Sequence, residues 1–330
     1  MAPQKKAILY LLFATITWGL AFPINRMAVH LADPISFTGV RYMLGAIALL
    51  PLALHHGQRP APGNSFDPAH LHTWLWAGFL AGILISCATI FQYTGLSITT
   101  SSKSGFLSAL YVTLVPCFVF IIHGNLPERP VWIGLGVGLF GLALVCGSSA
   151  SGFNRGDAYT IVADLFWAGH VLVMGHFALK VNPWRFVAAQ AAIGGIISLS
   201  IAFMRGSFID YSTFITILPY ALWGVLSVSV AYTCQVYAQK YLSPAEASLI
   251  MQLQAIIAAI VGVIFLHEVM TKSMWVGATL VIVGSIIAQN HSHHKVDFKN
   301  TPRFSRGFFY IRLTLGLIIV SLTGVAVFLT

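Results

Sequence analysis

Polar side chains recur at helical spacing inside segments that are otherwise apolar, and these carry whatever chemistry the chain can do. Thr89 and Gln92 stand one turn apart, and Tyr232, Gln235 and Gln239 share one helical face. Ser104, Ser108 and Tyr111 form a third stripe, answered later in the chain by Gln252 and Gln254. Neutral amides and hydroxyls of this kind can hold a small polar solute. They can also bond one another between helices, worth about 0.6 kcal/mol per contact on average in a membrane. Trp18 and Trp167 add flat apolar faces, which either wall a cavity and stack on a ligand or fill a core. Asn25 follows Trp18 by seven residues on the same face.

Ionisable groups inside these segments are few. Asp164 is the single acid well within an apolar run, on the order of 10 Å from its outer end. Burying it ionised costs roughly 2.5–3.5 kcal/mol, so it must be paired or protonated, which suits a proton-coupling or substrate-amine site. Arg41 lies at a similar depth in the second run and is the candidate salt-bridge partner. His170 points to a different part of the helix from Asp164 and reads as a hydrogen-bonded histidine. Glu246 and Glu268 bracket a later run and read as helix-end residues. The twelve histidines raise a metal centre, with clusters at His55-His56, His70-x-His72 and His291-x-His293-His294. Convergent imidazoles need several such boxes on one membrane face, and only the last cluster comes near one. A His-dependent membrane metalloenzyme is therefore the alternative from a different class. Cys87, Cys117, Cys146 and Cys234 sit inside apolar runs with no disulfide or metal spacing. Without a phosphate-binding loop, dinucleotide fingerprint or nucleophile constellation, no cofactor is expected.

The elements that must position these residues are membrane helices. Of the 330 residues 57% are hydrophobic and 8% charged, about a third of the charged share of a soluble domain. A span needs about 20 apolar residues, and non-alternating runs of that length exclude a barrel. Hydropathy places spans at about 7–28, 36–54, 74–96, 103–123, 131–149, 157–178, 184–204, 217–239, 246–266, 274–290 and 308–329. Lys5 and Lys6 imitate a signal-peptide start, but the run that follows is too long and lacks a cleavage site. The net charge of +9 is scattered singly through short loops, with one denser cluster from Lys295 to Arg306. That pattern is a topology and lipid-surface signal rather than a nucleic-acid site. Lys5, Lys6, Arg59, Arg129, Lys180, Arg185 and Lys240, with the cluster, fall on one side. Arg26, Lys103, Arg155, Arg205 and Lys272 fall on the other. The N-terminus is therefore expected in the cytoplasm, with a multi-pass chain in the cell's inner membrane and the lipid bilayer as its solvent.

The two halves resemble each other. Trp18 matches Trp167, and Pro34-x-x-Phe37-x-x-x-Arg41 matches Pro183-x-x-Phe186-x-x-x-Gln190, all at an offset of 149. After the long loop between the second and third spans the offset is 143. Gln92 then matches Gln235, Trp132 matches Trp275, Gly134 matches Gly277 and Gly141 matches Gly284. Five helices per unit is an odd number, so the second copy enters from the opposite side. The expected fold is an all-α polytopic protein of two inverted five-helix repeats, 1–150 and 151–290. A basic linker and an eleventh transmembrane helix follow in 291–330. Inverted repeats are typical of secondary transporters, whose site lies near the midplane. Gly78-x-x-x-Gly82 and Gly134-x-x-x-Gly138 allow close packing, and Pro23 and Pro116 are candidate kinks.

Trp18-Gly19-x-x-Phe22, the Pro34…Phe37…Arg41 start of the second helix and the Trp-x-Gly motifs of the fifth and tenth resemble the drug/metabolite transporter superfamily, EamA-like branch. The resemblance covers about residues 7–290 and implies a ten-helix fold that exports amino acids and related metabolites. Other members take up cofactors. It also implies that the third, fourth, eighth and ninth helices line the central cavity. The expected substrate-binding set is Trp18, Thr89, Gln92, Ser108, Tyr111, Trp167, Tyr232, Gln235, Gln252 and Gln254. The expected partners are a small-molecule substrate and, as coupling ion, a proton. The chain is expected to be a secondary-active exporter working by alternating access and not an enzyme, with import of a flat cofactor or nucleoside-like metabolite as the alternative. So few charges disfavour multiply charged substrates such as phosphates.

Overall fold

In hydrocarbon every backbone N–H and C=O must be paired within its own segment, which leaves helices as the answer to runs like these. The computed structural model describes residues 3–56, 69–123, 129–149, 152–207 and 209–290, and among these no strand occurs. In order come α1 (Pro3–Val29), α2 (Pro34–His56), α3 (Ala69–Leu96), α4 (Ser101–Ser108), α5 (Leu110–His123) and α6 (Arg129–Gly147). Then follow α7 (Arg155–Phe177), α8 (Pro183–Met204), α9 (Tyr211–Gly224), a π-helical segment (Val225–Val230) and α10 (Ala231–Gln239). The last are α11 (Pro244–Met251), α12 (Leu253–Leu266) and α13 (Lys272–Asn290). Taking α4–α5, α9–α10 and α11–α12 each as one crossing, nine described spans are long and apolar enough to cross a membrane, and α13 is shorter. The eleventh helix expected at 308–329, its basic linker and His291, His293 and His294 lie outside the described residues.

Local chemistry sets where the helices start. Thr100 caps α4 by accepting from the Lys103 N–H, and Ser243 with Glu246 makes a capping box on α11. Asn154 and Asp157 make another on α7, Asn182 caps α8, and prolines occupy the first turns of α8 and α11. The fourth crossing breaks at Ala109 and the ninth at Gln252, 143 residues apart. The caps Thr100 and Ser243 differ by the same 143. Neither expected proline kink is where a helix breaks: Pro23 and Pro116 lie inside α1 and α5.

Packing crosses between the halves. α1 lies against α10 and α12, α7 against α3 and α5, α2 against α8, and α6 against α13. The α6–α13 contact is built on glycine. A Cβ on Gly134 would strike the Gly284 carbonyl and Ala288, and one on Gly141 would strike the Gly277 carbonyl and Val281. These backbones approach at the distance only small residues allow. Gly138 has open space around its own Cβ direction, although it floors the space that a side chain on Gly284 would need. Gly78 and Gly82 admit Ala189 and Ile193 of α8. Large apolar side chains such as Ile47, Phe140, Phe203 and Phe265 are exposed around the bundle, as lipid contact requires.

Gly284→Leu is expected to separate α6 from α13 and cost on the order of 1–3 kcal/mol or more, the range for an overpacked interior. Gly136→Leu, at a glycine with nothing within 4 Å of an added Cβ, is the control. Thermal unfolding of the purified variants checks this, and equal melting temperatures would contradict it.

Candidate functional site

A cavity of about 60 Å³ lies within the bundle, bounded by α1, α2, α3, α4, α5, α7, α10, α11 and α12. At roughly 10–15 Å³ per water it takes about four to six waters, the displacement of one small organic solute. Nine of the ten expected residues line it: Trp18, Thr89, Gln92, Ser108, Tyr111, Trp167, Tyr232, Gln235 and Gln254.

Aromatic rings form one wall. Trp18 packs on Tyr232 with centroids 5.0 Å apart, and its indole N–H donates to the Ser227 carbonyl at 2.9 Å. His170 meets Tyr232 and Trp167 edge-on at 5.5 and 5.7 Å, while its Nε2 bonds Gln190 at 3.1 Å. His170 is thus hydrogen-bonded as expected, but it also faces the cavity. The amide of Gln92 donates to the Ser108 hydroxyl at 2.7 Å, and Thr89 bonds the Tyr42 hydroxyl. The indole N–H of Trp167 and Oε1 of Gln235 are buried with no partner among the described residues. Such atoms are costly unless a water or solute meets them.

Several expectations are corrected. Gln252 does not line the cavity: its amide donates to Ser285 at 2.7 Å and to the Val281 carbonyl, fastening the α11–α12 break to α13. Gln239 likewise turns to the Val171 carbonyl, and Ser104 to Thr160. Arg41 and Asp164 form no salt bridge. Arg41 donates to the hydroxyls of Tyr93 and, at 2.7 Å, Ser227, because α2 faces α3 and the π-helical segment. Asp164 is fully buried on α7, and both its carboxylate oxygens lack a partner among the described residues. Lys103 is not in a loop. It is fully buried in the first turn of α4, paired with Asp157 at 2.6 Å, and Thr99 donates to the same carboxylate at 2.7 Å.

Glu268 is more than a helix-end residue. It accepts from the Ser101 N–H (2.7 Å) and hydroxyl (2.8 Å) and from the Ser102 N–H (2.8 Å) and hydroxyl, and it pairs with Arg26. A carboxylate on the first N–H groups of α4 is the favoured end for an anion. It ties the end of α12 to the starts of α4 and, through Arg26, to the end of α1. The Lys103–Asp157 pair ties the same turn of α4 to α7. Tyr93, which no sequence stripe singled out, also lines the cavity. Its position four residues after Thr89 was the available signal.

The EamA-like transporter family model matches residues 5–147 and again 154–289. The chain belongs to the EamA-like transporter family. Similar curated proteins are an uncharacterized transporter of Archaeoglobus fulgidus (25% identical, covering 85% of each chain) and the uncharacterized transporter YoaV of Bacillus subtilis (24%, 91% of this chain and 98% of that one). The uncharacterized inner membrane transporter YedA of Escherichia coli is 22% identical over 82% of this chain and 87% of its own. A crystal structure with a TM-score of 0.62 and 15% identity covers 87% of this EamA-like chain and 97% of its own, which shows the shared fold. The chain is therefore a multi-pass membrane protein of a transporter family.

Glu268 yields a pH prediction. Burial by itself would push its carboxyl up, but the hydrogen bonds from Ser102 and Ser101 outweigh that and hold it below its usual 4.5. A carboxylate depressed on folding contributes stability fully above about pH 4.5, lost as pH falls through its lower folded value. The melting temperature of the wild type should fall below pH 4.5 more steeply than that of Glu268→Gln. Parallel curves would contradict the assignment.

Proposed function

We propose that this EamA-like chain is a secondary-active transporter that exports a small metabolite, an amino acid or related compound, by alternating access. The observation that carries the reading is the cavity, whose walls come from both halves of the chain. Trp18, Gln92 and Ser108 come from the first, Trp167, Tyr232 and Gln235 from the second. In an inverted-repeat carrier the site sits between the repeats, so that rocking one against the other exposes it to each side in turn. The double match of the family model supports two units, 1–150 and 151–290. The helix breaks and caps spaced by 143 support the same duplication. Each unit has five crossings, which makes the second inverted relative to the first. The bias of Lys and Arg toward one set of helix ends supports a cytoplasmic N-terminus. The relative named as an inner membrane transporter supports an inner-membrane location for the chain. We assign proton coupling to Asp164, the buried carboxyl with no hydrogen-bond partner among the described residues.

Four aromatic rings in one wall favour a second reading, import of a flat cofactor or nucleoside-like molecule, which stacking would hold. Proteoliposomes separate the readings. Labelled amino acids, nucleosides and vitamins are offered in pools, with and without a pH gradient. Saturable counterflow of an amino-acid-like compound is expected, reduced roughly three- to tenfold in Gln92→Ala and Gln235→Ala, the worth of one hydrogen bond. Asp164→Asn should stay folded and exchange substrate while losing its response to the pH gradient. A wild-type response in that variant would remove Asp164 from the coupling step. No flux for any compound would reject the transporter reading, and stoichiometric bound metal with it would favour an enzyme.

A further inference from the structure

We propose that Arg41 is the anion-recognition residue of the cavity and that the substrate carries a single carboxylate, bound at Arg41 and Tyr93. This rests on the cavity being the substrate site and narrows what it takes. Arg41 is 4% exposed, in the membrane-spanning part of α2, and lines the cavity. It makes no ion pair among the described residues, where the two ion pairs are Arg26–Glu268 and Lys103–Asp157. Its neighbours are neutral. Nη1 donates to the Tyr93 hydroxyl, Nη2 donates to Ser227, and the Tyr42 and Tyr93 rings lie 5.8 and 5.5 Å from its Cζ.

A guanidinium has five N–H donors, and two are used here. Nε is buried with no partner. The Tyr93 hydroxyl already accepts from Arg41 and from the Asn25 amide, so its own proton is uncommitted. A fixed cation with no counter-charge among the described residues and several free donors, lining a cavity with room for a small solute, is a receptor for a carboxylate, which takes two N–H groups of the fork at once. The hydroxyls and ring faces lower the cost of burying the cation without cancelling its charge. Gly224 makes room for the Arg41 side chain, which a Cβ there would overlap. The charge belongs to one half only: the position matching Arg41 holds the neutral Gln190, whose side-chain oxygen bonds His170 Nε2. The remaining wall is neutral and aromatic, and one positive charge matches one negative charge. Dianions such as phosphate esters would leave a charge unpaired.

The test is equilibrium binding to the purified full chain, read by thermal shift. L-amino acids and aliphatic and aromatic monocarboxylates are each compared with their primary amides. Acids are expected to bind about ten- to a hundredfold tighter than their amides, the worth of a charge-assisted hydrogen-bonded pair. Arg41→Gln should abolish that ratio, and Arg41→Lys should keep part of it. The proposal is overturned if amides bind as well as acids, if no acid binds, or if Arg41→Gln preserves the preference. Should Arg41→Gln fail to fold, the acid-to-amide ratio in the wild type still decides. Acid binding without counterflow would reject transport and leave this inference standing.

Discussion

A charge removed from water into a bilayer-embedded bundle must find a counter-charge, a set of fixed dipoles or a wet cavity, and the interior of this protein is arranged around that requirement. Each buried ion meets it differently. Lys103 and Asp157 neutralise one another next to the capping box of α7. Glu268 is met by the N–H groups and hydroxyls of Ser101 and Ser102 and by Arg26. Arg41 is met by hydroxyls, ring faces and the cavity. The Asp164 carboxyl is the exception, with no hydrogen-bond partner among the described residues.

The first two solutions share a place. Both act on the first turn of α4, drawing the ends of α1 and α12 and the start of α7 to it. The cavity reaches toward this end at Asn25, one turn before the end of α1, and at Leu96, the last residue of α3. The charged cluster therefore closes the bundle at that end, while polar and aromatic side chains line the cavity in the middle. For a carrier of the kind proposed, this end would have to open for solute to pass there, and ion pairs and short hydrogen bonds are interactions that water can replace when it enters.

Shape is handled separately, by side chains that are missing rather than present. α6 and α13 meet through glycines whose carbonyls occupy the space of absent Cβ atoms, and α3 receives α8 in the same way at Gly78 and Gly82. Gly134 meets Gly284 and Gly141 meets Gly277, so each glycine faces the sequence counterpart of the other. Tight apolar contacts between helices build the scaffold, and polar side chains line the site and close one end of it.

The residues alone determined the helical class and the crossings up to α13, and nine of the ten residues expected to bind substrate line the cavity. Lipid demands long apolar runs, and polar residues inside them are too costly to be placed at random. Thr89, Gln92, Tyr232 and Gln235 were legible for that reason. What the sequence left open was which polar group meets which. Gln252 and Gln254 are two positions apart, yet one fastens α13 and the other lines the cavity, because the break at Gln252 turns the chain between them. Arg41 and Asp164 sit at matching depths, yet depth says nothing of azimuth. The packing of α2 on α8 and of α3 on α7 sends them to different neighbours. Pairing in a bundle depends on how each helix is rotated about its axis. That rotation is decided by close contacts such as Gly224 against Arg41, which only the assembled structure contains.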